Sequence, residues 1–155
     1  MAALDRTVSP FPCPPEHWRC PVSRQSVAGA APARALSIRQ PWAWAILRAG
    51  KVIENRTWPT TFRGPLLIHA GQREDSEGWA MLEAMELELP LHVETGGIVG
   101  VVDLIDCVQD HPSEWAMPGH WHWVLANPRP LPFQPMPGRL GIFHMPAAQP
   151  LAAAS

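Results

Sequence analysis

The chain has 155 residues, a formal net charge of −2, 19 prolines, eight tryptophans and no tyrosine. That length suits one domain with tails and can bury a core without metal or disulfide, while a net charge so close to zero excludes a polyanion binder working through overall charge. Three cysteines without C-x-x-C spacing point to free thiols in a reducing compartment, and no apolar run approaches the roughly 18 residues of a membrane span, so the expectation is a cytoplasmic protein with no membrane contact.

In chain order, residues 1–33 read as a disordered proline-rich tail. Six prolines fall between Met1 and Pro32 among scattered Ser and Ala, with no periodicity able to specify a core. Cys13, His17 and Cys20 lie in this stretch, but their spacing matches no common zinc module and a fourth ligand is missing. No metal and no cofactor is expected. The folded domain is expected over residues 34–146. Ala35–Arg39 reads as a strand. Pro41 sits at the first turn of a helix, where its missing N–H costs nothing, and that helix runs from Trp42 to about Ala49 with Gly50 past its end. A short strand follows at Val52–Thr57, then a loop punctuated by Pro59 and Gly64-Pro65, then a buried strand at Leu66–Ala70. Trp79, Leu82, Met85 and Leu89 recur at helical spacing, which predicts a second helix from Ser76 to Leu89, stopped by Pro90.

Gly96-Gly97 turns into the longest strand signal, Ile98–Val108. Trp121–Ala126 fits another strand, and Pro128, Pro130, Pro132, Pro135 and Pro137 read as a loop. Leu140–Met145 closes the domain, and residues 147–155 form a second disordered tail. The result is an α+β, mainly β fold with five to six short strands and two helices. Many short strands with Pro/Gly turns, and no strand–helix–strand repeat, argue for a small β-barrel.

Charge is segregated along this domain. Between Arg34 and Arg73 lie seven basic residues and one acid, Glu54; between Glu74 and Glu114 lie eleven acids and no Lys or Arg. The plain alternative to an anion-binding surface is that neighbouring elements pair these charges as solvated salt bridges.

Three sets of residues could carry chemistry. Glu54 and Arg56 share a strand face, and Lys51 can swing to the same side if it still belongs to the helix end. An amine, a carboxylate and a guanidinium together suit proton transfer and anion stabilisation; alternatively, Lys51 complements the helix C-terminus and Glu54 pairs with Arg56. Trp42, Trp44 and Trp58 stand beside Arg39, Arg56 and Arg63, an arrangement that stacks bases while holding phosphates, though most of the eight tryptophans are expected in the core. Asp103 falls on a strand face with Val99, Val101, Ile105 and Cys107, where it is either a general acid or base or the partner of an arginine. The seven histidines show no metal-ligand spacing.

Leu36-Ser37-Ile38-Arg39-Gln40-Pro41-Trp42-Ala43, Gly50-Lys51 with Glu54-Asn55-Arg56-Thr57-Trp58, and Arg63-Gly64-Pro65-Leu66-Leu67-Ile68-His69-Ala70 resemble the ASCH domain of the PUA-like group, over about Arg34 to Met145. The resemblance implies a small PUA-like β-barrel with a cleft beside the first helix, and binding of RNA or other single-stranded nucleic acid or nucleotide. Arg39, Gln40, Trp42, Arg56, Trp58 and Arg63 would then contact the ligand in a basic, Trp-lined cleft. Some small ASCH proteins are similar in sequence and act as amidohydrolases on an acylated cytidine, with the signature lysine, a residue three further on and a distant carboxylate. Lys51 matches the first; Glu54 stands where those enzymes have a threonine; Asp103 is the candidate for the third. A protein-interaction module using the acidic second helix is the remaining reading.

Overall fold

The computed structural model describes residues 33–146. Residues 1–32 and 147–155, and with them the expected tails and the Cys13, His17 and Cys20 set, lie outside the described residues. The element order is β1 (Arg34–Gln40), α1 (Trp42–Arg48), β2 (Ile53–Arg56), β3 (Gly64–Glu74), α2 (Ser76–Ala84), β4 (Gly97–Val108), β5 (Trp121–Pro135) and β6 (Ile142–His144). The α+β, mainly β class with six strands and two helices is therefore as the sequence predicts.

The strands form one mixed sheet in the order β2-β5-β4-β3-β1-β6. β1 and β3 run parallel, and the other pairs are antiparallel. Alternation along the strands gives each face its own apolar layer. Leu36, Ile38, Leu66, Ile68, Val102 and Leu104 meet Ala43, Ile46 and Leu47 of α1 on one face. Ala35, Leu67, Ile98, Phe143 and Met145 pack on the other. A third cluster, Ala45, Ile53, Leu82 and Trp115, joins α1, β2 and α2. Each fully buried Leu or Ile contributes about 1.5–3 kcal/mol relative to exposure, so these clusters fix how the helices sit on the sheet.

Hydrogen bonding does not close the sheet into the expected barrel: β2 and β6 end the order and do not pair among the described residues. The sheet is nevertheless rolled. Arg56 Nη2 on β2 donates to the carbonyl of Ser37 on β1 at 2.9 Å, although those strands stand first and fifth in the order.

Four expectations are corrected. The second helix stops at Ala84 rather than Leu89. Glu86 adopts φ 57°, Leu87 N–H donates to Leu82 O and Glu86 N–H to Glu83 O, which is a Schellman end built on a non-glycine residue. The segment Gly64-Pro65, read as loop, opens β3. The proline run after Ala126 is strand: β5 continues to Pro135. Only Trp121–Val124 pairs with β2, so the rest of β5 keeps one neighbour, β4. Prolines at the alternating positions 128, 130 and 132 put their missing N–H groups on one edge, which an edge strand accommodates. Finally, Asp103 does share a face with Val101 and Ile105, but that face is not the apolar one expected: in this half of β4 the buried residues are Val102 and Leu104, and Ile105 is 55% exposed, while Val99 packs with Val102 and Leu104 across a register shift.

Candidate functional site

α1 ends at Ala49, and Gly50 takes φ +71°, a conformation glycine adopts without steric cost. The chain doubles back so that Lys51 N–H donates to Ala45 O at 3.1 Å. This turn, which the sequence spacing anticipated, brings Lys51 to the side that Glu54 faces. Lys51 Nζ lies 3.3 Å from Glu54 Oε2, and Arg56 Nε lies 3.0 Å from Glu54 Oε1. The second contact is an ion pair whose N–H is not aligned for a hydrogen bond. Lys51 Nζ also donates to Ile53 O. Lys51 and Glu54 are 4% and 7% exposed, so both charges are nearly out of water and each depends on the other. Burial pushes the Lys51 amine below its usual 10.5; Glu54 opposes that shift, and the Arg56 charge adds to it.

A second segment completes the walls. Asp75 is the N-cap of α2: its Oδ1 accepts from Gly78 N–H at 3.1 Å, and its backbone N–H donates to Gln40 O at 2.7 Å. Its Oδ2 accepts from Trp42 Nε1 at 3.0 Å, so one carboxylate starts α2 and fixes the Trp42 indole. The Trp42 hydrogen bond is the main cause holding the Asp75 carboxyl below its usual 3.8; burial opposes it, and the Gly78 N–H and the charge of Arg39 reinforce it.

The loop between β4 and β5 supplies the third wall. Asn55 Nδ2 donates to Trp115 O, and Asn55 Oδ1 accepts from Met117 N–H, both at 2.9 Å. His122, 3% exposed, accepts His111 N–H on Nδ1, which leaves Nε2–H to donate to Met117 O at 2.8 Å.

These segments enclose a pocket of about 270 Å³ lined by Trp42, Lys51, Glu54, Asn55, Asp75, Glu77, Gly78, Met81, Trp115 and Met117. That is just under the roughly 300–1,000 Å³ of drug-sized sites, so it suits one ring system. A larger pocket of about 380 Å³ lies against Trp44, Leu47 and Arg48. It holds no buried ion pair, and the smaller pocket is the better candidate because its polar groups converge on an apolar, aromatic space.

Of the residues the sequence singled out, Lys51, Glu54 and Trp42 meet in this pocket. The others do not line it. Arg39 is exposed, and among the described residues it makes no ion pair within 4.0 Å, though its charge reaches Asp75. Gln40 is 2% exposed and spent on the frame: Oε1 accepts Trp44 N–H in the first turn of α1, and Nε2 donates to Glu94 O. Trp58 stands edge-on to Trp123, with ring centroids 4.6 Å apart, and packs on the core. Arg56 turns to Ser37 O. Arg63 pairs with Asp106 at the exposed start of β3. Asp103 pairs with Arg129 at 2.9 Å and accepts from Asn127. The Asn127 hydrogen bond, more than Arg129, holds its carboxyl below the usual 3.8. The pocket is therefore Trp-lined but not basic.

Sequence reasoning missed Asp75, Glu77, Gly78, Met81, Asn55, Trp115 and Met117. An Asp directly before the predicted helix was a readable N-cap signal for Asp75. Nothing local marks Trp115, which arrives through contacts sixty residues away in sequence.

The model for the ASCH domain matches residues 36–136. Activating signal cointegrator 1 of Homo sapiens is 36% identical over 81 residues, 47% of this chain and 14% of the human protein. The Mus musculus protein of the same name is 34% identical over 91 residues, 54% of this chain and 16% of the mouse protein. The chain thus spans less than a fifth of the length of these curated relatives.

Proposed function

Because the chain belongs to the ASCH-domain family, we propose that it binds nucleic acid, RNA or another single strand, or a nucleotide, by taking one base into the pocket between Trp42 and Trp115. The observation that carries this reading is the 270 Å³ pocket itself, walled by two indoles over the buried Lys51–Glu54 pair. Base stacking on an aromatic side chain is worth about 1–3 kcal/mol, and a pocket for a single ring fits an unstacked or flipped base rather than duplex. Arg39 stands outside, near Asp75, and takes a backbone phosphate. In this reading Gln40, Arg56, Trp58 and Arg63, which do not line the pocket, hold its frame. A cytoplasmic setting belongs to the same reading, supported by the free thiol of Cys107. The test is a titration of short single-stranded RNA followed by tryptophan fluorescence, with Trp42→Ala alongside. Binding that survives Trp42→Ala unchanged removes the pocket from this function.

One observation favours a second reading, hydrolysis of an acylated cytidine. Lys51 is buried, lowered from its usual value and in the pocket wall, which is how a lysine becomes a base. A neutral Lys51 amine would take a proton from water as the hydroxyl oxygen bonds to the acyl carbon; the C–N bond then breaks and the proton passes to the leaving amine. Glu54 would hold Lys51 in place. Arg56 does not supply the oxyanion contact expected of it, since its guanidinium is directed to Ser37 O. Incubation with N4-acylated cytidine decides the matter: no product, or product formed equally by Lys51→Ala, removes this reading.

A further inference from the structure

We infer that the pocket selects a ring carrying a delocalised positive charge, of the N-alkylated purine kind, and that Glu77 is the residue that reads the charge. This rests on the base-binding reading above and narrows its ligand class.

The argument starts from which charges are already answered. Both oxygens of Glu54 face cations, Lys51 at 3.3 Å and Arg56 at 3.0 Å. Both oxygens of Asp75 accept N–H groups, from Gly78 and from Trp42, and Arg39 lies within reach of its charge. Glu77 lines the same pocket and is exposed; its backbone N–H faces Asp75, but its carboxylate has no hydrogen-bond or ion-pair partner among the described residues. Glu54 and Asp75 are thus taken up by their partners, and the Glu77 carboxylate is the one acid of the pocket lining left for a ligand among the described residues.

The walls point the same way. Indole is the side chain whose face attracts cations most strongly, and two indoles, Trp42 and Trp115, line the pocket. Met81 and Met117, 44% and 52% exposed at the mouth, add polarizable thioethers that adapt to a flat ring. A neutral base gains stacking here; a cationic one gains stacking, the ring quadrupoles and Glu77.

The competing account is that Glu77 only complements the N-terminal end of α2. That role is independent of any ligand, so a ligand preference separates the two. The full-length chain is titrated with 1-methyladenosine against adenosine and with 7-methylguanosine against guanosine. Ionic strength is held constant, at a mildly acidic pH where both methylated rings are charged. The methylated nucleoside binds about tenfold tighter, the indole faces and the Glu77 carboxylate together supplying the difference, and Glu77→Gln, an exposed change, cuts the ratio about threefold while the indole faces keep the remainder. Equal or weaker binding of the methylated rings, with the neutral nucleosides still bound, overturns the inference and leaves base binding standing. A preference undiminished by Glu77→Gln removes Glu77 as a source of it. Failure of all four nucleosides and of single-stranded RNA to bind removes the base-binding reading as well.

Discussion

The indole of Trp42 rests on Gly78: a Cβ built at residue 78 would stand 2.8 Å from Trp42 Cζ2 and 2.9 Å from Cε2. The same indole donates to Asp75, three residues earlier. α2 therefore holds one wall of the pocket through a hydrogen bond and a backbone approach that only glycine permits.

Gly78→Ala follows from that contact. Helix propensity alone favours the change by about 1 kcal/mol, but forcing a methyl into a filled space costs about 1–3 kcal/mol. The expected outcome is a net loss of about 1 kcal/mol in urea unfolding, together with weaker RNA binding as Trp42 is displaced. A variant more stable than the wild type with unchanged binding would show that the contact is loose.

The Lys51–Glu54–Arg56 trio predicts an asymmetry. Removing one partner of a buried pair costs about 3–5 kcal/mol because a charge is stranded. Glu54→Gln strands two cations, whereas Lys51→Met leaves Glu54 still paired with Arg56. Glu54→Gln is therefore expected to destabilise by about 3 kcal/mol or more, and Lys51→Met by clearly less. Denaturant midpoints for the two variants check the order, and the reverse order would contradict the geometry.

The pH dependence has a definite sign. Lys51 is lowered in the folded protein from 10.5, so between its folded value and 10.5 the unfolded chain binds more protons than the folded one. Stability then rises with pH across that window, and Lys51→Met removes the rise. Asp75 is lowered from 3.8 by the Trp42 hydrogen bond above all. Its contribution is present above about 3.8 and is lost as pH falls through the folded value. Acid titration of tryptophan fluorescence should show that loss, and Asp75→Asn should lack it.

Binding to single-stranded RNA should weaken with salt in a way that separates two arginines. Arg39→Ala lowers the slope of log affinity against log salt by about 1, the effect of one phosphate contact. Arg63→Ala leaves the slope unchanged, because Arg63 is occupied by Asp106 and the carbonyls of Thr60 and Phe62. Equal effects of the two substitutions would remove Arg39 from the ligand.

What could be read in advance was local. Gly50 after an amphipathic stretch located the turn that brings Lys51 to Glu54, and the run from Leu66 to Ala70 was legible as buried strand. Burial by distant segments was not legible. Nothing local showed that Arg56 reaches Ser37 O across the rolled sheet or that Trp123 meets the edge of Trp58. Asp103 was placed on an apolar face because Val99, Val101, Ile105 and Cys107 alternate with it, but nothing covers that face at Ile105, and a register shift moves Val99 to the opposite layer. The prolines after Ala126 misled for the opposite reason: their local signal is that of a loop, and only the absence of a second neighbour lets them lie in a strand.

That proline spacing also bears on how the molecule behaves in company. A sheet that stays open keeps two rims of unpaired backbone, and such rims invite a neighbouring molecule to add a strand. One rim here is β6, three residues long. The other is four residues of β2 followed by the proline stretch of β5, which has too few donors to template anything. Positions 128, 130 and 132 thus blunt that rim, and replacing all three with valine is expected to turn it into a site of self-association.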